Sequence, residues 1–70
     1  MSDEETQTFD WLLVRETDKA RLFQDDSGKQ RWVPKSLIRD FLKYPPKEPG
    51  ALPLCMVELP EWWAQKEGLL

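Results

Sequence analysis

Residues 20–34, which read ARLFQDDSGKQRWVP, contain the strongest structural signal in the chain. Two short apolar segments, 20–24 and 30–33, flank the turn sequence Asp25-Asp26-Ser27-Gly28. Asp and Ser favour the first positions of such a turn, and Gly28 adopts a left-handed conformation without a steric penalty. The stretch therefore predicts a β-hairpin.

The turn is compatible with two registers of this hairpin. A three-residue loop, Asp26-Ser27-Gly28, places Leu22 opposite Trp32 and Phe23 opposite Arg31. A shorter loop instead pairs Phe23 with Trp32. Because a shift of one residue exchanges the two faces of a strand, the register stays open at the level of the sequence.

The segment before the hairpin predicts a further strand. Between residues 9 and 15 the apolar side chains alternate, with Phe9, Trp11 and Leu13 on one face and Leu12 and Val14 on the other. This pattern is typical of a strand that is partly buried on both faces, and a polar turn at 16–19 follows it. Residues 1–7 are acidic and polar, so we predict a mobile acidic tail there and a single small domain at residues 8–70.

The segment after the hairpin predicts a helical element and an irregular connection. Pro34 ends the third strand because proline cannot donate to a central ladder. Ser36 then predicts a short helix or 3₁₀ turn that extends to Tyr44 and ends at Pro45-Pro46, with an apolar face formed by Leu37, Ile38, Phe41 and Leu42. The proline-rich residues 44–53 predict a stiff linker, and they contain a P-x-x-P pattern that also occurs in docking peptides.

The end of the chain predicts a fourth strand and a closing helix. In residues 54–59, Cys55, Val57 and Leu59 share one face, and Leu54, Met56 and Glu58 share the other. Pro60 suits the first position of a helix, Glu61 suits its positive end and Gly68 suits the residue after it, which predicts a helix at 61–67. The predicted fold is α+β: a small antiparallel meander of three to four strands, open or curled into a partial barrel, with one or two short helices.

The composition excludes several classes of function. The 70 residues include no histidine and one cysteine, so they lack an internal disulfide and the ligands of an ordinary zinc, haem or iron–sulfur site. Cys55 lies in an apolar strand without a neighbour that would lower its pKa, which indicates a core thiol rather than a nucleophile. We expect no enzymatic activity, no metal and no cofactor.

The longest apolar runs are four residues, far short of the roughly 20 that a membrane helix needs. The first residues are acidic where a secretion signal is basic and then apolar, and the single thiol fits a reducing compartment. We therefore expect a cytoplasmic protein without a membrane contact.

Trp62 and Trp63 are the strongest local indication of a partner-binding face. They are adjacent on the predicted closing helix, so their side chains point about 100° apart. One is expected to cover the sheet and the other to be at least partly exposed. An exposed Trp is typical of a protein interface, although on a small domain it also fits a side chain wrapped over the edge of the core. Self-association through this face would give a homo-oligomer.

Three basic residues support an alternative prediction. Lys35, Arg39 and Lys43 are spaced four apart along the predicted helix, with Trp32 and Tyr44 on either side. Such a set could follow a phosphate backbone while an aromatic side chain stacks on a base. Spaced cations on a helix are more often simply solvated, and Asp40 lies among these. The alternative is a small nucleic-acid-binding accessory protein.

Three segments carry a resemblance to a known group of proteins. They are Glu16-Thr17-x-Lys19-Ala20-x-Leu22, then Trp32-Val33-Pro34-Lys35-Ser36-x-Ile38, and then Leu59-Pro60-Glu61-Trp62-x-Ala64. They resemble short, functionally unassigned proteins of bacteriophages and other mobile elements, in which a β-meander ends in W-V/I-P-K-S and an L-P-x-W helix closes the domain. The proline-rich stretch and the acidic start depart from that pattern.

The resemblance implies a biological origin but no catalytic residues, because the shared motifs are structural ones. Small proteins of this origin often bind a host or phage protein, and some inhibit bacterial immune complexes in the manner of anti-CRISPR proteins. Combined with the exposed aromatic expected at residues 62–63, it predicts a non-enzymatic protein-binding module of mobile-element origin.

Overall fold

The computed structural model describes residues 4–70, which form one five-stranded antiparallel sheet and a short helix. The strands are β1 (Thr6–Glu16), β2 (Ala20–Gln24), β3 (Gln30–Pro34), β4 (Asp40–Lys43) and β5 (Leu54–Pro60); a 3₁₀ helix spans Lys35–Leu37 and α1 spans Glu61–Lys66. The strand order is β3-β2-β1-β5-β4, so the sheet is open, with β3 and β4 at its edges. The fold is mostly β and compatible with the predicted α+β class, with more strands than predicted.

The β2–β3 hairpin adopts the register of the three-residue loop. Leu22 lies opposite Trp32 and Phe23 lies opposite Arg31. The Asp25 N–H donates to the Lys29 carbonyl at 2.9 Å. Gly28 has a φ of +87°, a backbone conformation that residues other than glycine rarely adopt. Phe23 therefore points into the core, where it is fully buried.

The segment predicted as a helix from Ser36 to Tyr44 is helical only at its start. The 3₁₀ helix ends at Leu37, and residues 40–43 form β4, with Phe41 opposite Val57 and Leu42 opposite Met56. The 3₁₀ turn is confirmed at Lys35–Leu37, whereas the helix prediction is wrong for residues 40–43, because backbone pairing with β5 replaces local hydrogen bonds there. The apolar spacing fits both structures, but in the strand Phe41 packs against the core while Leu42 faces solvent.

The N-terminal boundary of the domain lies earlier than predicted. β1 begins at Thr6, inside the predicted tail 1–7, and Thr6 and Gln7 pair with Pro60 and Leu59. The Glu61 N–H donates to the Glu5 carbonyl at 2.9 Å. Residues 1–3 of the predicted tail lie outside the described residues.

The sheet curls tightly around its core. Its buried face contributes Trp11, Leu13, Phe23, Val33, Cys55, Val57 and Leu59, and α1 adds Trp63. β2 and β4 are separated by two strands, which in a flat sheet would place them about 14 Å apart. Nevertheless, the Phe23 and Phe41 ring centroids are 6.3 Å apart, and the Arg21 guanidinium lies 4.0 Å from the Phe41 ring centroid. A bulge in β1 between Leu13 and Arg15 fits this curvature.

Both edge strands carry groups that hinder pairing with a further strand. β3 ends at Pro34, which has no N–H to donate. In β4 the Phe41 N–H donates at 2.9 Å to the carboxylate of its neighbour Asp40. Contacts with other molecules are therefore expected to use side chains of the sheet and helix more than the sheet edges.

The loop of the β2–β3 hairpin depends on the carboxylate of Asp25. One of its oxygens accepts hydrogen bonds from the Ser27 hydroxyl at 2.6 Å and from the Ser27 and Lys29 N–H groups at 3.0 Å, while the other lies 3.0 Å from the Arg31 guanidinium. The Ser27 hydroxyl and the Arg31 guanidinium are the main groups that lower the pKa of Asp25 to about 2. The ionised form is therefore the one that stabilises the loop.

We predict that replacing Asp25 by Asn removes part of the acid sensitivity of the fold. A carboxylate whose pKa falls from an ordinary 3.8 to about 2 on folding adds stability above about pH 4 and loses it as the pH falls through 2. Urea unfolding at pH 7, 4 and 2.5 should show Asp25→Asn destabilised at pH 7, with the difference from the native protein shrinking towards pH 2.5.

The neighbouring Asp26 provides the matched control for this experiment. Within residues 4–70 its carboxylate forms neither a hydrogen bond nor an ion pair, so Asp26→Asn should leave the free energy of unfolding at pH 7 close to that of the native protein. A destabilisation by Asp25→Asn that stays constant from pH 7 to 2.5 would contradict the assignment.

Candidate functional site

The two adjacent tryptophans of α1 have different environments, as the sequence predicts. Trp63 is 8% exposed and belongs to the core, whereas Trp62 is 53% exposed on the outer side of the helix. The 100° step between successive helical residues separates the two indoles. Of the two predicted partner-binding residues, Trp62 alone presents its ring to solvent, and Trp63 fixes the helix that carries it.

A ring of polar side chains surrounds Trp62. The exposed indole lines a shallow depression of about 250 Å³ together with Glu4, Glu5, Glu61 and Gln65, and these five residues are called the Trp62 surface below. The indole Nε1–H donates to the Glu4 carboxylate at 3.4 Å. Three carboxylates thus lie around one apolar ring, and two of them come from the segment before β1.

Local sequence and tertiary contacts together hold the Trp62 surface in place. Pro60 precedes the first turn of α1, and Glu61 in that turn accepts hydrogen bonds from Gln7 and Gln65, each at 3.3 Å. The Arg39 Nε lies 2.6 Å from the Glu4 carboxylate, and this guanidinium holds the pKa of Glu4 below its ordinary value. Glu4 therefore stays ionised at neutral pH.

The structure does not place Lys35, Arg39 and Lys43 on one helical face. The Lys35 ammonium lies 2.9 Å from Glu16 at the end of β1, whereas Arg39 pairs with Glu4 just before the start of β1. Lys43 ends β4 opposite Cys55, and within residues 4–70 it has no carboxylate within ion-pair distance. The arrangement on which the nucleic-acid alternative was based is absent, and binding of nucleic acid by these residues remains a prediction.

A second exposed surface, not predicted from the sequence, lies at the other end of the β1–β5 ladder. Side chains on the outer face of the sheet and in the proline-rich segment form a groove of about 700 Å³. Its apolar lining is mainly Leu12, Tyr44, Pro45, Pro46, Leu52 and Leu54, and its charged lining residues are Asp10 and Lys47. It is called the Tyr44 groove below. The alternation in β5 was a signal for it, because Leu54 and Met56 lie on the face opposite the core.

The remaining candidates for chemistry occupy structural positions. Cys55 is fully buried, and burial raises the pKa of its thiol, as a core thiol requires. Within the described part of the chain, no three Cys, Asp or Glu side chains lie close enough together to hold a metal ion. No helix among residues 4–70 is long and apolar enough to cross a membrane.

Comparison with known proteins gives no match to a family model, to a curated protein sequence or to a solved structure.

Replacing the two tryptophans one at a time should separate their roles. Trp63→Ala leaves a large cavity under α1, and we expect it to lower the free energy of unfolding by about 3–5 kcal/mol, while Trp63→Phe should cost less. Trp62→Ala removes a half-exposed ring and should change it by about 0.5 kcal/mol or less. Urea denaturation followed by circular dichroism measures both effects, and equal losses for Trp62→Ala and Trp63→Ala would contradict the assignment.

Proposed function

We propose that the protein is a non-enzymatic protein-binding module that contacts a partner protein through the Trp62 surface. The observation that carries the proposal is the exposed ring of Trp62 on a helix anchored by the buried Trp63. A large aromatic side chain on a rigid support contributes much binding energy per residue and loses little conformational entropy when it is covered. It is the type of residue that dominates measured protein interfaces.

The charges around Trp62 indicate the partner's complementary chemistry. Glu4, Glu5 and Glu61 surround the indole, and the only cation bound to this rim within residues 4–70 is Arg39. A partner with an apolar pocket and a basic border would satisfy both features. Acidic rim residues would also speed association with such a partner at low ionic strength, because opposite charges steer the encounter.

The resemblance to mobile-element proteins supports a specific biological setting for this binding module. In that setting, a small acidic module that covers a basic surface could inhibit a nucleic-acid-binding complex of a bacterial immune system. Inhibition by covering a surface needs no catalytic group. It needs only a surface that is complementary in shape and charge to the partner's. An anti-CRISPR-like inhibitor is therefore the specific form of binding module that we propose.

Affinity capture from bacterial lysate, with the full chain as bait and mass spectrometry as readout, tests the proposal. Trp62→Ala should lose the captured partner, because the anchor side chain is gone while the fold is retained. Trp32→Ala is the matched control, since Trp32 is 48% exposed on β3 and lies outside the Trp62 surface. It should capture the partner as the native protein does.

Two results would overturn the proposal. One is a partner recovered equally by the native protein and by Trp62→Ala. The other is the absence of any specific partner, combined with turnover of a substrate that a single carboxylate substitution abolishes. Raising the salt concentration in the capture step gives a further check, because steering by the acidic rim predicts weaker capture at high salt.

A further inference from the structure

The Tyr44 groove lies far from the Trp62 surface and is a separate feature of the molecule. Leu54 begins β5 and Pro60 ends it, and the six residue steps between them span about 20 Å. Trp62 lies beyond Pro60, on the helix that follows. The two surfaces therefore occupy opposite ends of the β1–β5 ladder.

The walls of the groove are apolar, exposed and held in place before any ligand binds. Tyr44, Leu52 and Leu54 are each 40–43% exposed, and no element of the described chain covers them. The Tyr44 N–H donates to the Leu54 carbonyl at 2.9 Å, which extends the β4–β5 pairing beyond Lys43. Pro45 and Pro46 restrict the backbone of the opposite wall. A ligand in this groove would lose little affinity to ordering the protein.

One end of the groove is acidic. Asp10 lies on the groove floor, opposite Met56 in the ladder, and also lines a depression that continues past Leu12 and Leu54 to the hairpin loop with Asp25 and Asp26. Arg31 neutralises Asp25, whereas the carboxylates of Asp10 and Asp26 have no ion-pair partner within residues 4–70. Lys47 is the one cation in the lining of the groove, and it lies in the proline-rich segment. The largely apolar channel thus leads into two carboxylates, those of Asp10 and Asp26, that have no ion-pair partner within residues 4–70.

We propose that the Tyr44 groove binds an extended segment of a partner protein that carries an apolar side chain next to a Lys or Arg. The apolar side chain fills the space between Tyr44, Leu52 and Leu54, and the cation reaches Asp10. The charge pattern selects this occupant over a second copy of the chain, whose net charge of −3 opposes self-association. The β4 edge favours docking through side chains, because the Asp40 carboxylate already binds the outward Phe41 N–H.

Selection of random twelve-residue peptides displayed on phage against the immobilised full-length protein tests this inference. We expect the enriched peptides to share an aliphatic or aromatic residue beside Lys or Arg. The affinity of a synthetic copy of the leading peptide is then measured by fluorescence anisotropy. Leu52→Asp should weaken it by about tenfold or more, because an apolar contact is replaced by a charge. Leu52 lies outside the strands and helix, so this substitution leaves backbone pairing intact.

Asp10→Asn isolates the contribution of the charge. It should weaken binding by about threefold to tenfold at low salt and reduce the dependence of affinity on salt concentration, because the charge-assisted contact is lost. Leu70→Asp and Asp18→Asn are matched controls, since they make the same chemical changes at exposed positions outside the groove. Trp62→Ala should bind the peptide normally, which separates this inference from the function proposed for the Trp62 surface.

Four outcomes would overturn the inference. The first is enrichment of peptides without basic residues, and the second is equal binding by the native protein and by Leu52→Asp or Asp10→Asn. The third is the absence of any enriched peptide. A concentration-dependent dimer that Leu52→Asp dissociates in sedimentation equilibrium would assign the groove to a second copy of the chain, and would likewise overturn it.

Discussion

The pairing of β1 with β5 is the interaction on which the other features of this structure depend. Seven residue pairs, from Thr6 with Pro60 to Leu12 with Leu54, join segments about fifty residues apart in the sequence. β1 is long enough to pair with β2 over its second half as well, so it connects the hairpin to the C-terminal elements. Without this ladder neither α1 nor β4 would have a surface to pack on.

Residues 4–70 form one sheet layer and one short helix, and this arrangement explains where the exposed surfaces lie. The sheet curls so that its own inner side chains meet, as the contacts of Phe41 with Phe23 and Arg21 show. α1 closes one end of the core with Trp63. Within residues 4–70 no second layer covers the outer face of the sheet, and apolar side chains such as Leu42 and Leu54 remain exposed there. Both proposed interaction surfaces result from this single-layer arrangement. Trp62 lies on the outer side of the helix that covers the core, and the Tyr44 groove lies on the uncovered face of the sheet.

Several features could be predicted from short stretches of sequence because interactions between neighbouring residues determine them. The turn at Asp25–Gly28 places a carboxylate, a hydroxyl and a glycine within four residues, and the hairpin follows directly from their geometry. The alternation in β5 sorts Cys55, Val57 and Leu59 to the buried face, as the period of a strand requires. The separation of Trp62 from Trp63 follows from the helical step alone. In each of these cases the deciding groups are neighbours along the chain.

The features that the sequence left open depend on groups brought together from distant positions. Residues 40–43 carry an apolar spacing that suits a helix, and they form a strand because β5 offers backbone partners. Glu4 and Glu5 appeared to belong to a tail, yet they border Trp62 because the β1–β5 ladder brings the chain start beside α1. The groove combines Leu12, Tyr44 and Leu54, which no local pattern links. Periodicity and turn chemistry report on a few consecutive residues, whereas the choice between competing hydrogen-bond partners and the exposure of a face are settled only when the whole sheet assembles.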